Sequence, residues 1–407
     1  MKTGTLLVAT CTLALTLGIV PVQAETLSAK TISLDSGYVP QATTNRSMWN
    51  LWQEYQYFGE SGFDALNKTA LFGNPVTRAL LAAGSYLAWN WANYPFFVAN
   101  HELGHGTRVI SMRGSPTYTW NTGPGNVSIF TFIGLGFTKY GQGADTTGSI
   151  SVPSGVPSDW TLTVTAGGMN NSMMYAESLQ DEVSYNTGHV LQLPSYIYAR
   201  MDAFNYAKYN MSSANSDVGS LLGTWQARGY SITTDDVAAG ATVSALTSFT
   251  TWAYAWSVLR YVGTGDPSVS AARIGGVTLP DVSFFQNRNG LSYRLRTSLR
   301  FADRLALPLS VEYVYRGTPT VEVSLGLRRL LGIAGVRKSG DLIQAYLCSD
   351  GGGGLRLAKD FPTGSRSFLS LGGSLFTTRS LEGERSMGYL LSSAAGVDIW
   401  LKQSWTY

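Results

Sequence analysis

The hydrophobic pattern changes its period once along the chain. Up to about residue 265, apolar positions recur at three- and four-residue spacings or run on unbroken, which predicts helices joined by long loops. Asn74-Pro75 reads as a helix start, with Asn as the cap and Pro at the first helical position. Residues 79–100 carry no charged side chain. Pro95 is expected to kink this segment or to begin a second helix running to about Met112, with Gly114 as its stop. Residues 115–160 are rich in Gly, Ser, Thr and Pro and predict loops with short strands. Helical patterning returns at about 169–181 and 195–209. A further helix is expected from Thr234, with Asp235 and Asp236 in its first turn, to Arg260.

After Gly265-Asp266-Pro267 the period becomes two. Leu291, Tyr293, Leu295, Leu299 and Phe301 alternate with Ser292, Arg294, Arg296, Ser298 and Arg300. The alternation repeats from Leu305 to Tyr315 and from Val321 to Leu327, and further strands fall near 341–348, 354–359, 366–377 and 387–401. Turn signals separate them at Asn289-Gly290, Gly317-Thr318-Pro319, Asp350-Gly351 and Glu382-Gly383. With one more near 275–286, about eight antiparallel strands are expected. The predicted fold is therefore α+β. An N-terminal segment (25–70) precedes a mostly helical domain (71–265) and an antiparallel β-meander (266–407).

One face of the meander is apolar and the other carries Arg, Ser, Gly and Glu. Two architectures fit. A soluble sheet turns its apolar face onto a core, whereas a small outer-membrane barrel turns that face to lipid and the Arg-rich face to its lumen. The final Trp405-Thr406-Tyr407 resembles the aromatic end of outer-membrane barrels, which implies an association with that membrane. The charge-free stretches 79–100 and 237–259 are long enough to span a bilayer. Asn90, Asn93 and Pro95 in the first, and many Ser and Thr in the second, favour buried helices instead.

Composition adds to this picture. Only 14 % of residues are charged, against about a quarter in an ordinary soluble protein, while Gly (45), Tyr (22) and Trp (11) are abundant. That balance fits an envelope protein partly covered by lipid. The net charge of +3 makes no case for nucleic acid or for a polybasic membrane surface. Lys2, the apolar run 6–20 and Val22-Gln23-Ala24 read as a signal peptide over 1–24, so the chain is expected to be exported to the bacterial outer membrane or periplasm. Cys11 would leave with the leader. Cys348 would then stand alone, which excludes an intramolecular disulfide and a cysteine zinc site.

The chain holds three histidines, and two lie in His101-Glu102-Leu103-Gly104-His105. Residues four apart share a helix face, so both imidazoles can take adjacent corners of one tetrahedral zinc ion. Glu102, beside the first ligand, can accept a proton from zinc-activated water and pass it to a leaving amine. This segment resembles the His-Glu-x-x-His motif of the zincin metalloproteases, over residues 100–113. The resemblance implies a zinc cofactor, a peptide or protein substrate and Glu102 as general base.

No histidine follows His105 closely enough for the metzincin continuation. In the gluzincin group the third ligand is a Glu on a later helix, often followed four residues on by an Asp. Glu177 and Asp181 have that spacing, which implies Glu177 as ligand and Asp181 as the group that orients a ligand histidine. His189 competes, either as ligand or as a catalytic proton donor to the oxyanion. Site-2 intramembrane proteases use an Asp from a different motif, of which the chain shows no clear version.

Asn170 and Asn171 either line the same cleft or cap a helix. Arg108 and Arg113 either bind substrate or form salt bridges. Tyr118, Tyr140 and Tyr175 are candidate oxyanion donors, and the glycines at 351–354 form a turn between strands. The leading expectation is an exported zinc metallopeptidase of the cell envelope. Its rivals are a non-catalytic outer-membrane structural or transport barrel and an intramembrane zinc protease using the two charge-free helices.

Overall fold

The computed structural model describes residues 31–406, apart from 38–39, 113, 122–126, 151–159, 210–215, 302–304, 334–335, 365–366, 378 and 388–394. The signal peptide expected at 1–24 and the candidate Arg113 lie outside the described residues. The fold is α+β. Strand β1 (Thr31–Gly37) leads into two long helices, α1 (Pro40–Asn67) and α2 (Pro75–Ser111). A two-stranded sheet, β2 (Gly114–Trp120) with β3 (Ala144–Ile150), encloses the short α3 (Ile129–Gly136). Then come α4 (Trp160–Thr165), α5 (Gly167–Tyr185), β4 (Gly188–His189), α6 (Leu193–Tyr209), α7 (Asp217–Ala227), α8 (Thr234–Thr247) and α9 (Phe249–Thr264).

Short strands β5 (Ser268–Val269), β6 (Arg273–Ile274) and β7 (Val277–Thr278) precede the meander. Its strands are β8 (Asp281–Asn287), β9 (Gly290–Phe301), β10 (Leu305–Gly317), β11 (Val321–Ile333), β12 (Val336–Cys348), β13 (Gly353–Gly364), β14 (Ser367–Thr377) and β15 (Ala395–Thr406). Helix α10 (Leu381–Met387) lies between the last two.

Two helix boundaries depart from the expected pattern, and tertiary contacts explain both. Helix α2 begins as predicted, with Asn74 accepting from Thr77 N at 3.1 Å, but it runs through Pro95 without a break. A proline inside a helix costs about 3 kcal/mol or more in a lost hydrogen bond and a clash. Here its ring is buried beneath Gly136 of α3, where a Cβ would come within 2.7 Å of Pro95 Cβ. The buried Phe96, Ala99 and Leu103 hold the following turns in the core, which offsets the local cost.

The single helix expected over 234–260 is instead two, α8 and α9, divided at Ser248 (φ −75°, ψ 123°). Asp281, at the start of β8, accepts from Thr250 N at 2.8 Å and Thr250 Oγ1 at 2.7 Å, and also from Ser248 Oγ. A carboxylate from a distant strand thus caps the new helix.

The meander has the eight long strands expected, each antiparallel to the next, and β1 pairs with β15. The full order is β1-β15-β14-β13-β12-β11-β10-β9-β7-β6, with β8 also on β9, giving eleven strands. No pair among the described residues joins the two ends. The sheet is open, which corrects the closed barrel. The reason is what fills it: a closed eight-stranded barrel has room only for side chains, whereas this sheet packs onto α5 and α10. Phe284, Phe285 and Leu291 of the sheet belong to the same core as Trp225 and Val237 of the helices.

The side chains facing those helices are polar. Arg294 pairs with Glu382 at 2.8 Å and Glu177 at 3.3 Å, Arg328 with Asp181 at 3.7 Å, and Asp398 with Arg46 of α1 at 2.9 Å. The apolar alternates are the exposed ones. The two charge-free helical stretches, expected to be buried, are buried on one side only: Leu80, Leu87 and Trp91 of α2 and Trp252, Trp256 and Leu259 of α9 are exposed. No helix among the described residues is long and apolar enough to cross a membrane.

Candidate metal centre

The last three turns of α2 are buried almost all round, and three glycines let other chain segments reach them. A Cβ on Gly104 would stand 2.3 Å from Gly167 O of α5, and one on Gly167 would stand 2.5 Å from Gly104 O. A Cβ on Gly168 would stand 2.3 Å from His101 Nε2. Helices α2 and α5 therefore meet backbone to backbone, and the His101 ring occupies the space that a side chain at 168 would take.

Each histidine is oriented through its Nδ1. His105 Nδ1 donates to Val164 O of α4 at 2.8 Å, and His101 Nδ1 donates to Asp202 Oδ2 of α6 at 2.7 Å. A carbonyl or carboxylate oxygen can only accept, so each Nδ1 carries a proton and each Nε2 is the atom that a metal ion would take by displacing a proton. Those Nε2 atoms are 3.1 Å apart. Asp217 Oδ2, from the first turn of α7, lies 3.1 Å from one and 3.2 Å from the other. Ligand atoms around a tetrahedral ion at about 2.0–2.1 Å stand about 3.3–3.4 Å apart. The three atoms thus form a nearly equilateral donor set, and the buried His101 and His105 with the half-buried Asp217 form a group that can hold a metal ion.

The electrostatics favour positive charge at that point. Burial opposes charge on His101 and His105, yet the carboxylates of Asp202 and Asp217 outweigh it and raise both above the usual imidazole value. Burial also opposes the Asp217 carboxylate, but the two imidazoles hold its pKa well below the usual range. The ring of Tyr206 stacks on His101, with centroids 4.6 Å apart and planes 4° from parallel. Asp202 acts only through the ring it orients. Asp202→Ala is expected to weaken metal affinity 10- to 100-fold, the usual effect of losing such a partner. Chelator competition measures this, and unchanged affinity would remove Asp202 from the site.

Glu102 is buried beside the donor set, and Thr146 Oγ1 of β3 donates to its Oε2 at 2.7 Å. Burial pushes its pKa up, although the neighbouring imidazoles pull the other way. Tyr118 of β2 has its hydroxyl against Gly106, where a Cβ would be 2.1 Å away. Burial and the charge of Glu102 push that phenol up to about 12.

The other sequence candidates stand elsewhere. Glu177, expected as third ligand, faces the sheet and pairs with Arg294, and Asp181 pairs with Arg296 at 2.6 Å. One turn of α5 after another carries these acids toward the arginines of β9, so the helix gives the metal centre its glycines rather than its glutamate. His189, the alternative, donates from Nε2 to Asp64 at 3.1 Å and accepts on Nδ1 from Leu191 N. It caps a short 3₁₀ turn and is not among the grouped donors.

Arg108 is a tie between elements. Its guanidinium donates to Gly104 O at 2.6 Å and Arg385 O at 3.1 Å, and burial lowers its pKa to about 10. Asn170 clamps Gln286 of β8 through both its backbone groups, and Asn171 donates to Asn100 O. Tyr175 stacks on Trp52 and donates to Gln56, while Tyr140 is exposed. Of the three tyrosines, only Tyr118 adjoins Glu102.

Sequence reading missed Asp217, which is 116 residues from His101. A helix-start signal was present: Ser216 caps α7 by accepting from Gly219 N at 3.2 Å, with Asp217 in the first turn. Nothing local links that signal to the histidines. Comparison of the chain with protein-family models, with curated proteins and with solved structures finds no match.

Proposed function

We propose that this chain is a zinc-dependent metallopeptidase of the bacterial cell envelope, with His101, His105 and Asp217 as ligands and Glu102 as general base. One observation carries the reading. Two imidazole Nε2 atoms and a carboxylate oxygen face one another at 3.1–3.2 Å, with both Nδ1 protons committed elsewhere. Atoms so arranged repel unless protons or a metal ion lie between them, and a metal ion satisfies all three at once. Two nitrogens and one oxygen suit zinc, and three protein ligands leave a fourth position for substrate chemistry.

When bound, the ion supplies a Lewis acid that acidifies water and polarises a carbonyl. The chain does the rest. Thr146 holds one oxygen of Glu102, leaving the other to accept the proton lost by the attacking water. Burial raises the Glu102 carboxyl, which strengthens it as a proton acceptor, and the proton it takes can pass to the leaving amine. The Tyr118 phenol stays protonated at neutral pH and can donate to the developing oxyanion. Asp217 also matches the kind of third ligand used by site-2 proteases. Peptide as substrate follows from the zincin-like motif.

Metal content tests the proposal. Wild-type protein purified in metal-free buffer is expected to carry about one zinc per chain, and Asp217→Ala about a tenth of that or less. Glu177→Gln should keep its zinc. Metal-free wild type, or a site emptied by Glu177→Gln, would overturn the ligand assignment.

A further inference from the structure

The long strands are built inside out. Arg294, Glu312, Glu322, Gln344 and Asp398 are buried on the inner face, and Arg294, Gln344 and Asp398 line a cavity of about 280 Å³. Thr278 of β7 and Trp400 of β15, from opposite ends of the strand order, both line that cavity. The sheet therefore curls around it, and its outer face is convex. On that outer face Val311, Leu325, Ile343, Leu357, Leu371 and Ile399 are each between 44 and 59 % exposed. A sheet folding in water gains by the opposite arrangement, and an apolar patch of this extent marks a contact surface.

Charge on the outer face lies at two levels. Part-way along β11 to β13, Asp341 holds Arg329 at 3.2 Å and Lys359 at 2.9 Å. At the strand ends on the other side, in the turns after β12 and β14, Arg379 donates to Asp350 O at 2.7 Å. Between them the outward alternates are free of charge over residues 321–327 in β11 and 305–315 in β10. At about 3.3 Å per residue these runs measure roughly 23–36 Å along the strands. The lipid-facing band of a membrane barrel is about 25 Å tall.

We propose that the convex face of β9 to β15 lies against the hydrocarbon of a lipid bilayer, with the two charged levels at the headgroups. The open sheet is then a membrane-inserted wall around the helices. Next to its edges, β1 packs on α1 and β8, which pairs with β9, packs on α8. That matters because an unpaired strand edge in hydrocarbon is costly. A second copy of the chain fits less well. Two convex faces touch only along a strip, and a protein partner gives no reason for a charge-free band of bilayer height.

The test uses the full chain, in a Cys348→Ser background, reconstituted into phosphatidylethanolamine–phosphatidylglycerol vesicles with brominated acyl chains. An environment-sensitive fluorophore is placed on a cysteine at Leu325 or at Asp350. The protein is expected to float with the vesicles after a carbonate wash. The Leu325 probe should lose about half its emission to the bromines and the Asp350 probe little, as a lipid-facing band requires. A triple variant, Leu325→Glu, Ile343→Glu and Ile399→Glu, should stay folded by near-ultraviolet circular dichroism in detergent and fail to float. The proposal is overturned if wild type remains in the aqueous fraction, if both probes are quenched alike, or if the Leu325 probe is shielded instead in a lipid-free dimer.

Discussion

Glu102→Gln is expected to keep about one zinc per chain and to lose roughly 10²- to 10⁴-fold in kcat for peptide cleavage, the usual worth of a positioned general base. The amide has nearly the shape of the carboxylate and can still accept from Thr146 Oγ1, so neither the packing nor the ligands should move. What it cannot do is take a proton. Glu102 is only 4 % exposed, so bulk water is poorly placed to substitute for it. The loss should fall on kcat rather than KM, because the missing step belongs to the transition state. A variant that cleaves a peptide library at the wild-type rate would end the general-base assignment while leaving the metal site standing.

Arg385→Ala is expected to destabilise the fold by about 3–5 kcal/mol, the usual cost of stripping one partner from a buried ion pair. The Arg385 guanidinium on α10 makes two parallel bonds to Glu312 of β10, at 2.7 and 2.6 Å, and a third to Glu382 at 3.1 Å. Arg385 and Glu312 are both almost fully buried, so removal of the cation leaves the Glu312 carboxylate with Ser292 Oγ at 2.7 Å and without its paired guanidinium. The Arg385 carbonyl also receives Arg108, which ties this network to α2, the helix that carries the histidine pair. Urea midpoints in detergent, at unchanged m-value, give the loss. Arg385→Met combined with Glu312→Leu should recover most of it, because two apolar side chains leave no orphaned charge. A single-variant loss under about 1 kcal/mol would mean that water reaches the pair and screens it.

The legible part of the site was His101, Glu102 and His105. Their relation is set within little more than one turn of a helix, and helix geometry does not depend on the rest of the fold. Asp217 and Asp202 were not legible. Each reaches the histidines from a different helix, and no spacing rule connects residues on elements that meet only in the folded chain. Glu177 and Asp181 were misleading for a related reason: their four-residue spacing suits a ligand with its orienting acid and equally suits two arginines on a facing strand.

By itself the sequence determined the two local periods, hence the α+β class, the run of eight long strands and the histidine pair on one helix face. These follow from near-neighbour geometry and the alternation of side chains along a strand. Tertiary structure alone decided that α2 continues through Pro95 and that Ser248 divides α8 from α9. It also decided that Asp217 completes the donor set, that the sheet stays open, and that the apolar face of β10 to β15 points outward. Each of these depends on what packs on the far side of the element. A period of two names the apolar face but is silent on whether helices, water or lipid will cover it.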